Sequence, residues 1–271
     1  TTEVENFPGF PEGIMGPKLM DDMREQAEKF GAEIKNEDVT EVDFSQRPFV
    51  VKTYDDTFKA HSVIISTGAS ARWLGLDNEQ KLIGSGVSSC ATCDGAFFKD
   101  VEIAVVGGGD SAMEESQFLT RFASKVHLIH RRDEFRASKI MVDRARTNDK
   151  INIWYNTIVK DLYSEKDGFI EKVTGLQLEN TVSMELQDLQ VAAMFVAIGH
   201  IPNTKIFQGQ IGLDEAGYIL TQEHTMTTVA GVFAAGDVVD TRYRQAITAA
   251  SDGCKAAMDA EKWLESQGLG H

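Results

Sequence analysis

Cys90 and Cys93 sit in the stretch VSSCATCDGAFF and are two of only three cysteines in the chain. Two thiols with two residues between them can close a small disulfide ring or share a metal ion. For zinc the pair needs two further ligands. Cys254 is far along the chain in an alanine-rich helical pattern, where Ala250, Ala257 and Met258 point to a buried structural thiol. His127 and His130 could complete a Cys2His2 set, but His127 falls inside a strand pattern and His130 is better used by the second motif, below. A redox dithiol is the stronger reading, and no metal is expected. Asp94 follows the second thiol directly; its carboxyl can shuttle the proton that thiolate chemistry requires. Gly95 then permits a tight turn.

The second motif is Gly107, Gly109 and Ala112 in GGGDSA, a G-x-G-x-x-A spacing between the apolar strand VEIAVV and the helix-like MEESQFLTRFA. In that setting glycines let the backbone approach a pyrophosphate, and the helix N-terminus offers free N–H groups. Asp110 and Ser111 open that helix and belong to the same expected site. The next strand, KVHLIHRR, ends where an NAD site usually carries an acid. Here it presents His130, Arg131 and Arg132, with Arg136 close behind. Three arginines within six residues, in a chain of net charge −15, argue for a 2′-phosphate and so for NADP. Asp133 and Glu134 fall past the strand end, near the next helix start, where the helix dipole favours them.

The elements that must hold these motifs alternate between strand and helix. A strand–turn–helix–strand unit from Val101 to Arg132 begins a parallel sheet. Helices are expected over 17–31, 133–148 and about 244–267, with short strands between 40 and 68, up to about 198, and at GVFAAGDVVD. The 271 residues allow one large or two medium domains, and 42% hydrophobic content supports a sizeable core. No apolar run approaches the ~18 residues a membrane span needs. The negative charge argues against a nucleic-acid partner. Three cysteines are too few for a disulfide scaffold, which points to a reducing, cytoplasmic compartment.

Nicotinamide gives up two electrons as hydride, and a disulfide accepts hydride poorly, so a flavin is the expected intermediary. A second dinucleotide site is therefore expected. SVIISTGAS, a strand ending in Thr67, Gly68 and Ala69, and GVFAAGDVVD, ending in Gly236 and Asp237 ahead of a helix, are its candidates.

With TTEVENFPGF, TGASARWLGL, CATCDGAFF, GGGDSAMEE, HRRDEFRASKI, FVAIGHIPNT and GVFAAGDVVDTRYRQAITAASDGC in this order, the chain resembles the low-molecular-weight, flavin-dependent thioredoxin reductases from its first residue to about residue 263. The resemblance implies an α/β fold of two Rossmann-like dinucleotide-binding domains. An FAD domain built from residues 1–73 and 201–271 would receive an NADPH domain, residues 74–200, carrying the dithiol. It implies that Asp237 holds the ribityl chain and that Arg244, Gln245 and Ala246 line the flavin end at a helix N-terminus. Asn6, Thr67, Gly68, Ala69 and Gly236 complete the implied FAD set. Electrons would pass from NADPH through FAD to Cys90–Cys93, with Cys93 nearer the flavin and Cys90 attacking the disulfide of thioredoxin. A homodimer is implied as well.

The resembling family opens with a strand and a GxGxxG that this chain lacks. Roughly 30–45 residues, about one βαβ unit, are expected ahead of Thr1, and the piece alone is expected to hold FAD weakly. The flavoprotein subunit of an alkyl hydroperoxide reductase is an alternative, as is a truncated, non-catalytic NADP-binding module. CATC rather than a proline-containing pair favours the reductase, and HRRDEFR disfavours a dithiol oxidase or a ferredoxin-driven enzyme. Because dithiol and glycine turn share a domain yet must both reach one flavin face, that domain is expected to swing about residues 72–76 and 199–203, where Gly75 and Gly199 can absorb the change.

Overall fold

The computed structural model describes residues 3–168 and 170–269; Thr1 and Thr2 of the opening stretch lie outside them. The chain divides into two compact units. One is Ala71–Gly199 with the short stretch Glu12–Gly16; the other holds Pro17–Ser70 and the chain from His200 onward.

In the Ala71–Gly199 unit the strand Glu102–Gly107 lies at the centre of a five-stranded sheet, ordered Ile151–Trp154, Lys125–Ile129, Glu102–Gly107, Ala193–Ala197, Val87–Ser88. Every pairing is parallel, with Val126 and Ala193 opposite Ile103. Both faces of the sheet are covered, which is why its strands read as continuous apolar runs. Successive side chains alternate between faces. Ile103, Val105, Val126, Leu128 and Phe195 pack with Met113, Leu119, Val142 and Ala145 of the helices Asp110–Leu119 and Lys139–Arg146. Ala104, Val106, Ile129, Met194 and Val196 pack with Leu162, Leu176 and Leu178 of a three-stranded antiparallel sheet, Thr157–Asp167, Ile170–Asn180 and Leu186–Gln190. Each large apolar side chain so buried stabilises by roughly 1.5–3 kcal/mol, and the two layers together hold the strand that carries the glycine turn.

The helix expected over 133–148 forms only over Lys139–Arg146. The residues before it direct their backbone groups elsewhere. Arg136 and Ala137 N–H donate to the Gly108 carbonyl at 2.8 and 3.2 Å, and Ser138 N–H donates to Asp110 Oδ1 at 2.8 Å. A backbone donor satisfied by the glycine turn is not free for a helical ladder.

In the other unit Val232–Ala234 pairs in parallel with Val63–Ile65, and Met226–Thr227 and Thr221–Glu223 extend that sheet antiparallel. Ile65, Val232, Ala234 and Val238 form a core with Phe44, Phe49 and Phe207. Phe49 comes from a separate antiparallel sheet, Glu41–Asp43, Phe49–Lys52 and Thr57–Ala60. Phe233 and Ala235 pack with Ala256 and Ala260 of the helix Ala246–Ser266, two small residues one turn apart that admit the large ring.

That helix corrects the expectation for Cys254. Its inward stripe is Ala256, Ala260 and Trp263. Cys254 lies two positions from Ala256, about 200° around the helix, and is a free, exposed thiol; Ala250, Ala257 and Met258 are exposed as well.

Gly75 (φ 81°) and Gly199 (φ 100°) both take left-handed backbone. Beside Gly75, the fully buried Glu79 accepts the N–H groups of Leu74 and Gly75 at 2.9 and 2.8 Å.

Candidate functional site

The strand Val87–Ser88 delivers the chain to Cys90, which precedes the one-turn helix Ala91–Asp94. A helical turn brings residues three apart onto one side. Cys90 and Cys93 are accordingly joined as a disulfide, with Cα atoms 5.3 Å apart, and both are partly exposed, as is Asp94. Asp94 Oδ2 accepts a hydrogen bond from Ser88 Oγ at 2.6 Å, and Ser88 Oγ accepts the Cys90 N–H at 3.1 Å. Ser88 is absent from the expected set. Its signal in the sequence was only position, two residues before the first thiol. Gly95 opens the tight 3-10 turn Gly95–Phe97, closed by Phe98 N–H donating to the Gly95 carbonyl at 3.2 Å, but it does so with an ordinary helical φ of −59°. A Cβ there would lie 2.8 Å from Leu119 Cδ2, so a larger residue must displace that side chain.

The two histidines weighed as metal ligands are engaged within the protein. His127 is buried and its Nδ1 accepts the Trp154 Nε1–H at 3.0 Å. Trp can only donate, so the proton of His127 sits on Nε2, which donates to Glu102 Oε2 at 2.7 Å. His130 is 7% exposed, with Nε2 2.8 Å from the Glu134 carbonyl and its ring 4.8 Å from that of Phe135.

At the glycine turn the three glycines differ in what an added Cβ would meet. A Cβ on Gly107 would collide with the Ala197 carbonyl and Ala112 Cβ, and one on Gly108 would enter the His130 ring. His130 thus reaches this turn from beneath, by packing. Gly109 differs: nothing lies within 4 Å of its Cβ position, and its extended backbone suits any residue. Open space in front of Gly109, at the first turn of Asp110–Leu119, is room a phosphate group can enter. Asp110 and Ser111 are exposed there, and Ala112 is buried. Arg131, Arg132 and Arg136 are exposed beyond the end of Lys125–Ile129 and make no ion pair among the described residues. In a protein of net charge −15, three such guanidiniums form a local anion-attracting patch.

In the other unit, Thr67–Gly68 is clamped by Asn203, which the sequence suggests only as part of the expected hinge at 199–203. Asn203 N–H donates to Gly68 O and its Nδ2 to Thr67 O, both at 2.9 Å, while Thr67 Oγ1 donates to the Asn203 carbonyl at 2.8 Å. Ala69 follows in the strand Ala69–Ala71. Gly236 (φ 75°) turns the chain after Val232–Ala234 into Asp237. Further on, Arg244 leads to Gln245, the N-cap of Ala246–Ser266, where Gln245 and Thr248 form a reciprocal capping box.

Among the described residues of this unit, four buried side-chain polar atoms have no hydrogen-bond partner: Ser62 Oγ, Asp237 Oδ1, Arg244 Nε and His200 Nδ1. Burial, then the like charge of Asp240, pushes Asp237 above its ordinary value, against the pull of Arg244. Burial and the charge of Arg244 push His200 down. Burial alone would raise Asp240, but backbone N–H donors from Tyr243, Arg244 and Arg242 outweigh it and hold it low. Arg244 Nη2 donates to the hydroxyl of the buried Tyr218 at 3.0 Å. Buried polar atoms are nearly always paired, and each one left unpaired costs about 1–3 kcal/mol. Asp237 and His200, both under the charge of Arg244 just ahead of a helix N-terminus, together with Arg244 Nε itself, fit a ligand rich in hydroxyl and ring-edge polar groups. Asn6, exposed in the bend after Glu3–Val4, groups with the Ala71–Gly199 unit and not with these residues.

A parallel sheet with a glycine turn and a redox dithiol, in a chain that also holds a second nucleotide-type unit, defines a class of electron-transfer enzyme. The pyridine nucleotide-disulphide oxidoreductase family matches residues 1–253, and the chain belongs to that family. Membership brings a flavin and a pyridine nucleotide as cofactors. The chain is 55% identical over 268 residues to a thioredoxin reductase of Mycolicibacterium smegmatis, covering 98% of this chain and 85% of that protein. It is 55% identical over 267 residues to a bifunctional thioredoxin reductase/thioredoxin of Mycobacterium leprae (strain TN), covering 97% of this chain and 57% of that longer protein. Among solved structures, the thioredoxin reductase from Giardia duodenalis superposes with a TM-score of 0.89 at 44% identity, covering 97% of this chain and 85% of that one.

Proposed function

We propose that the chain is an NADPH-dependent thioredoxin-disulfide reductase, with Cys90 and Cys93 as its redox pair. The observation that carries the reading is the closed Cys90–Cys93 disulfide with Asp94 beside it, in the same unit as the open glycine turn and its three free arginines. The bifunctional relative, a reductase named together with thioredoxin, supports that partner. In this reading neither a hydroperoxide reductase subunit nor a non-catalytic module is favoured.

The pyridine nucleotide is NADPH. Its pyrophosphate lies at Gly107, Gly109, Asp110, Ser111 and Ala112, and its 2′-phosphate meets Arg131, Arg132 and Arg136, with His130 fixing the turn from below. The flavin is FAD, held by Thr67, Gly68, Ala69, Gly236, Asp237, Arg244, Gln245 and Ala246. When bound, a flavin supplies the two-electron exchange between a pyridine nucleotide and a disulfide. The residues around it orient and neutralise: Asp237 accepts from hydroxyls and Arg244 places a positive charge at the helix start. Residues 1–73 and 201–271 form the FAD domain and 74–200 the NADPH domain.

Reduction of Cys90–Cys93 takes two electrons and two protons and leaves two thiols. The Cys90 thiolate attacks one sulfur of the thioredoxin disulfide, and the bond electrons leave on thioredoxin's other sulfur, which takes a proton. Cys93 then attacks Cys90 Sγ, reforming the internal disulfide and expelling the second thioredoxin sulfur. Asp94 carries protons to and from these sulfurs. The protein works as a homodimer in the cytoplasm; among the described residues no helix is long and apolar enough to cross a membrane.

The test is NADPH oxidation coupled to thioredoxin reduction by the FAD-loaded protein. Turnover that depends on Cys90 and Cys93 and prefers NADPH to NADH is expected. NADPH oxidation that leaves thioredoxin oxidised would overturn the reading.

A further inference from the structure

The hydrogen bonds at the dithiol single out a residue beyond the redox pair and its acid. We propose that Ser88 is the positioning residue for Asp94, holding its carboxyl at the dithiol in both protonation states that proton transfer requires. This rests on reading Asp94 as the proton carrier of Cys90–Cys93.

Ser88 is 5% exposed and sits at the end of a core strand, opposite Phe195, so its side chain has a fixed origin. Its single hydroxyl proton has two acceptors in reach, Asp94 Oδ2 at 2.6 Å and the Cys90 carbonyl at 3.4 Å. The shorter is the one made, at the length of a hydroxyl–carboxylate bond. Ser88 Oγ meanwhile uses one lone pair on the Cys90 N–H at 3.1 Å and keeps the other.

Those spare positions matter when Asp94 takes up a proton. The carboxylic acid becomes a donor, the second Ser88 lone pair accepts it, and the serine proton turns toward the Cys90 carbonyl. The Ser88–Asp94 bond persists with donor and acceptor exchanged. In the reverse direction, a thiolate attacks one sulfur of Cys90–Cys93 and the S–S electron pair leaves on the other sulfur. That sulfur takes the proton from Asp94, and the carboxylate is again the acceptor of the Ser88 hydroxyl. A side chain without both donor and acceptor capacity cannot follow the cycle.

The test uses the full chain with the disulfide closed and follows its opening by dithiothreitol, a readout that does not need flavin. NADPH-driven thioredoxin reduction by the FAD-loaded protein is measured alongside. Ser88→Ala is expected to slow opening about fivefold, the worth of one hydrogen bond, and to lower kcat while leaving KM for NADPH unchanged. Ser88→Thr keeps the hydroxyl and restores most of the rate. In an Asp94→Asn background Ser88→Ala adds no further slowing. Opening of Ser88→Ala at the wild-type rate would overturn the proposal, as would the same fivefold loss in the Asp94→Asn background. If Ser88→Ala does not fold, Asp94→Glu carries the carboxyl beyond Ser88 and must show the loss; a wild-type rate there overturns it too. Dithiothreitol data that follow the expected cycle without any thioredoxin turnover would support Ser88 and sink only the reductase reading.

Discussion

The dithiol turn and the Asp237–Arg244 region treat their polar groups in opposite ways. Around Cys90–Cys93 the nearby polar atoms answer one another: Ser88 serves both Cys90 N–H and Asp94. Around Asp237 they do not, and Asp237 Oδ1, Arg244 Nε and His200 Nδ1 stay buried and unpaired. On the proposed function, in which the Asp237–Arg244 region holds the flavin, the difference follows from where the reacting atoms reside. A disulfide is made of the chain's own sulfurs, so its surroundings are complete when the chain folds. A site for a cofactor is complete only with the cofactor, and leaves the protein carrying atoms that want partners. The glycine turn lies between these extremes, with Gly107 and Gly108 spent on internal packing and Gly109 facing open space.

The largest effect is expected at the self-contained site. Cys90→Ser should abolish thioredoxin turnover while leaving flavin reduction by NADPH intact, and Cys93→Ser should trap a mixed disulfide through Cys90. Cys254→Ala is the internal control: exposed on the outer face of its helix, it should change turnover little. Equal damage from Cys254→Ala and Cys90→Ser in folded protein would break the assignment.

Next comes the half-open site. Arg131→Ala with Arg132→Ala removes two charge-assisted contacts, each worth roughly 1.5–3 kcal/mol. The Michaelis constant for NADPH should rise at least about tenfold with that for NADH nearly unchanged. Equal losses for both nucleotides would show that the arginines do not read the phosphate.

The incomplete site should respond in two directions at once. Asp237→Asn removes a half-buried carboxylate whose Oδ1 has no hydrogen-bond partner, so the flavin-free chain should gain stability, by at most about 1 kcal/mol once solvent screening and the pull of Arg244 are discounted, on thermal or urea unfolding. The same substitution should weaken flavin retention, visible as lost yellow colour after purification. Loss of stability and flavin together would mean that Asp237 holds the fold.

The smallest effect concerns pH. His200 titrates below its ordinary value of 6.5 because burial and Arg244 disfavour its charge. A depressed histidine contributes stability that is present above 6.5 and lost as pH falls through the folded value. His200→Gln should therefore flatten the decline in unfolding midpoint on the acid side of 6.5. An unchanged slope would exclude His200 as its source.

Much of the dithiol and the glycine turn was legible because their chemistry is local. The i, i+3 spacing of Cys90 and Cys93 closes within one helical turn, and strand, turn and helix from Glu102 to Leu119 are set by period and glycine. The misreadings came where a distant partner claims a local group. Residues 133–138 carry a helical pattern, but Gly108 and Asp110 take their donors. Cys254 carries a buried-looking neighbourhood, but Phe233 chooses the opposite stripe of its helix.

The sequence by itself therefore determined which residues could do chemistry: two thiols within one turn, a carboxyl beside them, glycines ahead of a helix and arginines after a strand. Each is a matter of a few consecutive residues and of backbone geometry that neighbours in the chain dictate. Only the tertiary structure decided who holds them. Asn203 reaches Thr67 and Gly68 across 136 positions of sequence, Arg244 meets Tyr218 and its charge acts on His200, and Ser88 owes its fixed place to a strand paired with residues near 195. Those partners are brought together by sheet order and core packing, which depend on the whole chain closing at once, and no local pattern encodes a meeting between residues so far apart.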